Sequence, residues 1–137
     1  MNLAPCYNIT YLGPMRRALL SIRDRLDRAG ILLSGLCAIH CVIGVVVVTA
    51  LGLGGEFLLD PAIHKLGLGL AVLIGIVTLG LGVARHGQTG PLIGGGIGIA
   101  LMAAGLAAGH GVAEAAFTIA GVTILAAAHL RNLRHAC

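Results

Sequence analysis

An uncharged run from residue 30 to residue 53 is the feature that most restricts how this chain can fold. The run contains no Asp, Glu, Lys or Arg, and about 20 apolar residues are enough to cross a bilayer as an α-helix. The whole chain has the same character: of its 137 residues, 58% are hydrophobic and 10% are charged, and its mean hydropathy is +1.00. Soluble domains carry about 25% charged residues. The sequence therefore predicts an integral membrane protein.

Four apolar runs of membrane length predict an all-α fold, a bundle of four transmembrane helices. The predicted spans are residues 30–53, 65–84, 91–109 and 112–130. Residues 16–29 predict a short basic amphipathic helix on the membrane surface, because Leu19, Leu20, Ile22 and Leu26 occur among five arginines. We expect residues 1–15 to be an irregular tail, absent from the mature protein if Met15 is the start. Residues 16–137 then form one membrane domain.

The basic residues predict the orientation of the bundle. Arg85 falls between the second and third spans, and only Lys65 lies on the opposite side. The other basic residues precede the first span or follow the fourth: Arg16, Arg17, Arg23, Arg25, Arg28, Arg131 and Arg134. The positive-inside rule then places both termini in the cytoplasm, as for a multi-pass protein of the bacterial inner membrane. This orientation explains the net charge of +4, so the expected partner is the lipid bilayer and not nucleic acid.

Small residues mark the faces on which the helices are expected to pack. In the first span, Ser34, Cys37, Cys41 and Gly44 recur at spacings of three and four, so they share one side of a helix. Glycines at four-residue steps in the third span allow close backbone approach; these are Gly90, Gly94 and Gly98, with Gly105 and Gly109 further on.

The first span also carries two thiols and an imidazole on one face. Cys37, His40 and Cys41 have the spacing i, i+3, i+4, which brings side chains together on a helix. Thiolates and imidazole are ligands of soft and borderline metal ions, and ionisable groups inside a span indicate function. A disulfide is less favoured, because its Cβ atoms must approach to about 3.5–4.5 Å. The alternatives are that the cysteines only pack and that His40 hydrogen-bonds a neighbouring helix.

Further candidate ligands lie near the predicted membrane surfaces. His129, one turn inside the cytoplasmic edge, is either a packing residue or an exit ligand. His135 and Cys137 provide a second possible metal site on the cytoplasmic side. On the outer side, His64 and His110 are either interfacial residues or a capture site for cations, together with Glu56, Asp60 and Glu114.

Two motifs resemble one known family. The run Leu33-Ser34-Gly35-Leu36-Cys37-Ala38-Ile39-His40-Cys41, shortly after Asp27-Arg28-Ala29-Gly30, is similar to the first span of MerC-type mercury-resistance membrane proteins. The ending Ala128-His129-Leu130-Arg131-Asn132-Leu133-Arg134 resembles the closing Ala-His-x-x-Asn-x-Arg of that family. The resemblance covers about residues 24–137.

The resemblance implies a small inner-membrane carrier that moves mercuric ion inward for reduction in the cytoplasm. Cys37 and Cys41 match the cysteine pair of the first span. Of the second, C-terminal pair only Cys137 is present, with His135 as a possible substitute. The implied partners are mercuric or another soft metal ion as cargo, and mercuric reductase or small cytoplasmic thiols as acceptors. No resident cofactor and no enzymatic activity are expected. The alternative functions are a membrane thiol redox protein and a structural membrane subunit.

Overall fold

The computed structural model describes residues 14–51, 60–109 and 111–134. Every regular element in these ranges is an α-helix: α1 (Pro14–Leu51), α2 (Pro61–His86), α3 (Gly90–Ala108) and α4 (Val112–Arg134). Each is long and apolar enough to cross a membrane, which confirms the prediction of an all-α fold with four spans. Of the tail predicted over residues 1–15, Pro14 and Met15 begin α1, and the rest lies outside the described residues, as do Glu56, His110, His135 and Cys137.

Local sequence signals set the ends of the helices. At the start of α2, the Asp60 side chain accepts a 2.8 Å hydrogen bond from the Ala62 N–H, and Pro61 occupies the first turn, as predicted. Gly87 ends α2 in the left-handed conformation with φ 69°, and its N–H donates to the Val83 carbonyl. Gly109 and Gly111, with φ 82° and 134°, reverse the chain between α3 and α4. Positive φ favours glycine because it has no Cβ.

The first helix differs from the prediction of a surface helix followed by a separate span. One unbroken helix, Pro14–Leu51, covers both segments. Arg23 and Asp27, which the amphipathic pattern placed at the membrane surface, are 2% and 0% exposed. The predicted break between the two segments is therefore absent. Arg23 and Asp27 lie 3.6 Å apart on α1 and hydrogen-bond groups on α4, partners that the charge pattern alone does not reveal. The location of residues 16–29 at the membrane surface stays a prediction.

The inward face of α1 follows the stripe of small residues. Ser34, Cys41 and Gly44 are buried and Cys37 is half-buried, as the three- and four-residue spacing predicted. Buried Gly30 and Asp27 continue the same face toward the N-terminus. The opposite face is apolar and exposed, as expected for contact with lipid; it includes Leu32, Leu36, Ile39 and Val46.

Helices α3 and α4 pack closely through glycines. A Cβ added at Gly98 would lie 2.7 Å from the Gly121 carbonyl oxygen, and one added at Gly121 would lie 2.6 Å from the Gly98 carbonyl oxygen. Of the predicted glycine face, Gly98 and Gly105 make such close approaches, whereas Gly90 and Gly109 have no neighbour within 4 Å. Backbone contact of this kind stabilises helix pairs in lipid, where apolar burial contributes little.

An apolar core connects all the helices and divides the interior into two polar ends. Its buried members come from α2, α3 and α4, and α1 adds the half-buried Cys37 and Ala38. The buried residues are Ala71, Leu79, Met102, Val122, Leu125 and Ala128. Polar side chains lie on both sides of this core, next to the cysteines at one end and around Asp27 at the other.

Candidate metal site

The two thiols of α1 lie on the face that α2 and α4 cover. Cys41 is 6% exposed, and Cys37, one turn away, is half-buried. Because α1 is unbroken here, the two Cβ atoms are held about 5–6 Å apart, wider than a disulfide accepts. The local geometry therefore favours an ion between the sulfurs over a bond between them.

Helices α2 and α4 add an imidazole and a carboxylate to Cys41. Nε2 of His64 lies 3.9 Å from Sγ of Cys41, and its Nδ1 lies 3.7 Å from Oε1 of Glu114. The His64 and Glu114 side chains are 12% and 4% exposed. The ring of His40 meets the ring of His64 edge to face, with centroids 5.5 Å apart. We call these five residues, Cys37, His40, Cys41, His64 and Glu114, the thiol layer.

Two cavities meet at the thiol layer. The larger one, about 490 Å³, is lined by all five residues and extends along α2 past Gly67. The smaller one, about 60 Å³, is lined by His40, Cys41, His64 and Glu114, and reaches Thr49 and Gly111. Cys37 lines only the larger cavity. Cys41 and His64 therefore lie between the two cavities, and Cys37 lies on the inner side.

The thiol layer lies next to the first turns of α2 and α4. His64 is in the first turn of α2 and Glu114 in the first turn of α4. Both turns are at the end of the bundle where α1 finishes, although α1 itself continues for ten residues beyond Cys41 to Leu51. The orientation predicted from the arginines would make this the periplasmic end.

His64 and Glu114 were considered from sequence only as part of a peripheral capture site. The structure brings them to Cys41, which no spacing within α2 or α4 indicates. Asp60, from the same predicted site, is exposed and caps α2. Within the described ranges, no three His, Cys, Asp or Glu side chains converge closely enough to form a complete metal site. The thiol layer instead brings possible ligand atoms together in pairs, such as Sγ of Cys41 and Nε2 of His64.

A second group of polar side chains lies at the opposite end of the bundle, around Asp27. Oδ1 of Asp27 accepts a 2.7 Å hydrogen bond from Nδ1 of His129, and Oδ2 accepts one of 2.8 Å from Asn132. Arg23 lies 3.6 Å from the same carboxylate and donates to the Asn132 carbonyl. Asn132 also donates to the Thr78 carbonyl. We call Arg23, Asp27, Thr78, His129 and Asn132 the carboxylate layer.

The position of His129 in the carboxylate layer favours one of its two predicted roles. Its side chain is 0% exposed, with Nδ1 bound to Asp27 and the ring against Gly30, where an added Cβ would lie 2.6 Å from Nε2. Gly30 precedes Cys37 by two helical turns, about 10 Å along α1. The contacts support the packing role; the role of exit ligand stays a prediction.

The sequence did contain a signal for the carboxylate layer. Asp27, Ser34 and Cys41 follow one another at seven-residue intervals, so extending the stripe of α1 by two turns reaches Asp27. Its partners His129 and Asn132 belong to the closing motif. The two motifs that carry the family resemblance are thus in contact with each other.

Fold and comparison together define the protein class. Four helices that are long and apolar enough to span a membrane make this a multi-pass α-helical membrane protein. The family model of the MerC mercury resistance protein matches residues 27–134, from Asp27 of the carboxylate layer to the last residue of α4. The chain belongs to the MerC family, and so to a class of membrane proteins related to mercury resistance. Neither the curated proteins nor the solved structures contain a significant match.

Proposed function

We propose that this protein carries mercuric ion, or a similar soft ion, across the bacterial inner membrane toward the cytoplasm. The observation that supports the proposal most directly is the pair of thiols, Cys37 and Cys41, on one face of α1 beside a cavity of about 490 Å³. Thiolates prefer soft ions. Two thiolates also neutralise a divalent ion, which lowers the cost of its burial among apolar helices.

Transport proceeds by ligand exchange along α1. The ion arrives with exchangeable ligands, binds the thiolates of Cys37 and Cys41 with His40 beside them, and leaves for thiols on the other side of the membrane. Acceptors are small cytoplasmic thiols or a mercuric reductase, and His135 and Cys137 form an intermediate acceptor site. His129 has the role of exit ligand only if it releases Asp27. The ion is cargo, and no catalytic step is involved.

Uptake by whole cells tests the proposal. Cells that express the protein without a mercuric reductase should accumulate mercuric ion and become hypersensitive to it. Cys37→Ser and Cys41→Ser should each remove most of this effect, because one thiolate does not chelate. Cys6→Ser is the matched control, since it removes a thiol outside the spans. Reporter fusions at Gly111 and Arg134 should place these positions in the periplasm and the cytoplasm respectively.

Two results would contradict the proposal, and a stability measurement identifies misfolded variants. Wild-type uptake in both Cys37→Ser and Cys41→Ser cells, at equal expression, would refute transport through this pair. A cytoplasmic reporter signal at Gly111 would reverse the direction. Unchanged thermal unfolding of the two variants would exclude misfolding as the cause of lost uptake.

A further inference from the structure

We infer that the ion first binds between two helices, to Sγ of Cys41 on α1 and Nε2 of His64 on α2. We call this pair of ligands the clamp, and Glu114 orients His64 within it. The inference rests on the proposed function and adds two residues and an order of events to it. It assigns His64 as a metal ligand and Cys37 as the second thiol to engage.

The distance within the clamp suits a bridging ion. Zinc lies about 2.3 Å from thiolate sulfur and about 2.0–2.1 Å from imidazole nitrogen, and larger soft ions form somewhat longer bonds. A linear sulfur–metal–nitrogen unit therefore spans at least about 4.4 Å. The observed separation of Sγ and Nε2 is 3.9 Å. An ion can contact both atoms at a bent angle, and a shift of roughly half an ångström makes the unit linear.

Glu114 has the position of an orienting partner. A histidine that binds a metal through one ring nitrogen usually donates its other N–H to a carboxylate or carbonyl, which fixes the tautomer and the ring plane. Nδ1 of His64 faces Oε1 of Glu114 at 3.7 Å, slightly beyond a hydrogen bond, and both side chains are largely buried. A small rotation of His64 toward Glu114 completes this arrangement.

Charge also supports the clamp. A divalent ion between one thiolate and one neutral imidazole has one positive charge left over. The carboxylate of Glu114 lies next to His64 and supplies the missing negative charge, so the loaded clamp is neutral overall. Neutrality matters because Cys41 and Glu114 are buried among apolar helices, where an isolated charge is costly.

The two cavities give the order of events. Cys41 and His64 line the small cavity that reaches Thr49 and Gly111 at the end of the bundle, and Cys37 does not. An ion entering there meets the clamp first. It forms bonds to Sγ of Cys41 and Nε2 of His64, and its incoming ligands leave with the thiol proton of Cys41. Cys37 then replaces His64: the bond from the ion to Nε2 breaks, a bond to Sγ of Cys37 forms, and the thiol proton of Cys37 passes to the freed imidazole. The ion is left between two thiolates, which soft ions prefer to imidazole.

Binding measurements on the purified full chain in lipid nanodiscs test the clamp. In a Cys6→Ser/Cys137→Ser background, the further change Cys37→Ser leaves Cys41 as the only thiol. This protein should still bind mercuric chloride at one ion per chain. Adding Glu114→Gln should lower the affinity by about tenfold, and adding His64→Ala should lower it further. Adding His86→Ala, at the other end of α2, is the control and should leave the affinity unchanged.

The reciprocal background makes the test specific. With Cys41→Ser in place of Cys37→Ser, the remaining thiol is Cys37, and His64→Ala should then have no effect on affinity. Equal affinity with and without His64 in the Cys37→Ser background would overturn the clamp. So would equal losses from His64→Ala in both backgrounds, because that result indicates a general structural effect.

The outcomes for the clamp and for transport are separable. If His64→Ala cells take up mercuric ion normally while Cys37→Ser and Cys41→Ser cells do not, the clamp is wrong and the transport proposal stands. If neither cysteine is needed for uptake but the purified protein shows the His64 dependence, the clamp is a binding site and the transport proposal fails.

Discussion

The thiol layer and the carboxylate layer are both polar groups buried between the same helices, but they are built differently. Around Asp27, both carboxylate oxygens accept hydrogen bonds, of 2.7 and 2.8 Å, and the ring of His129 leaves no space above Gly30, although its Nε2 has no hydrogen-bond partner among the described residues. Around Cys41, Nε2 of His64 lies 3.9 Å from Sγ and Nδ1 of His64 lies 3.7 Å from Oε1 of Glu114, and cavities adjoin the side chains. The carboxylate layer is closely packed, whereas the thiol layer is open to two cavities.

The two layers also occupy different depths. Asp27 and Cys41 are separated by four helical turns of α1, about 21 Å, and the hydrocarbon core of a bilayer is about 30 Å thick. One layer therefore lies toward each side of the membrane. A filled, charge-paired layer holds helices together, because breaking it leaves buried groups without partners. A layer that adjoins two cavities has space for a bound ion. Under the proposed function, stability and binding therefore depend on separate layers.

Replacing Asp27 should have the largest effect on stability. Asp27→Asn removes the negative charge that Arg23 and His129 face inside the bundle. Breaking a buried pair in this way costs about 3–5 kcal/mol, so the thermal unfolding midpoint in detergent, followed by circular dichroism, should fall sharply. Mercuric ion binding by the folded fraction should be unchanged, because the thiol layer is about 21 Å away.

Asp60→Asn is the matched control for that experiment. It makes the same chemical change at an exposed carboxylate that caps α2, and Asn caps helices about as well as Asp. An equal shift of the midpoint in both variants would contradict the idea that Asp27 anchors the helices. A loss of binding in folded Asp27→Asn protein would contradict the separation of the two layers.

Filling the space above Gly30 should have the next largest effect. In Gly30→Ala the new Cβ would lie 2.6 Å from Nε2 of His129, and His129 has no room to move because it is fully buried. Overpacking of this kind costs about 1–3 kcal/mol. Gly35→Ala on the same helix is the control: no atom lies within 4 Å of its added Cβ. The unfolding midpoint should fall for Gly30→Ala and stay equal or rise for Gly35→Ala; equal responses would show that the carboxylate layer is not tightly packed.

The sequence predicted the features that depend on local pattern. Hydropathy located all four spans, Asp60 and Pro61 marked the start of α2, and the spacing of Ser34, Cys37 and Cys41 identified the inward face of α1. These signals lie within one helix and need no knowledge of its neighbours.

The features that sequence reasoning missed depend on contacts between helices. Arg23 and Asp27 were interpreted as surface charges, because their partners on α4 are more than 100 residues away along the chain. His64 and Glu114 reach Cys41 only because α2 and α4 both begin at the end of the bundle where α1 finishes. No spacing within one segment indicates such a meeting, although the shared motifs of α1 and α4 gave a partial signal.

The smallest effect on stability, with a clear effect on transport, is expected where a side chain is added to the open layer. A Cβ at Gly67 would lie 3.6 Å from Sγ of Cys37, an ordinary contact, and Gly67 lines the larger cavity. Gly67→Val should therefore change stability by no more than about 0.5 kcal/mol while its methyl groups occupy the space beside Cys37. Mercuric ion uptake should fall severalfold, because the ion can no longer move from Cys41 to a position between both thiols.

Gly69→Val separates this blockage from any general effect of valine in α2. Gly69 is exposed, and no atom lies within 4 Å of its added Cβ, so this variant should transport like wild type. The order of events adds a second readout: because the clamp of Cys41 and His64 lies on the other side of Cys37 from the block, Gly67→Val protein should still bind one ion while failing to release it inward. Normal uptake by Gly67→Val cells would mean that the ion bypasses the larger cavity, and the open layer would then lose its assignment as the transport path.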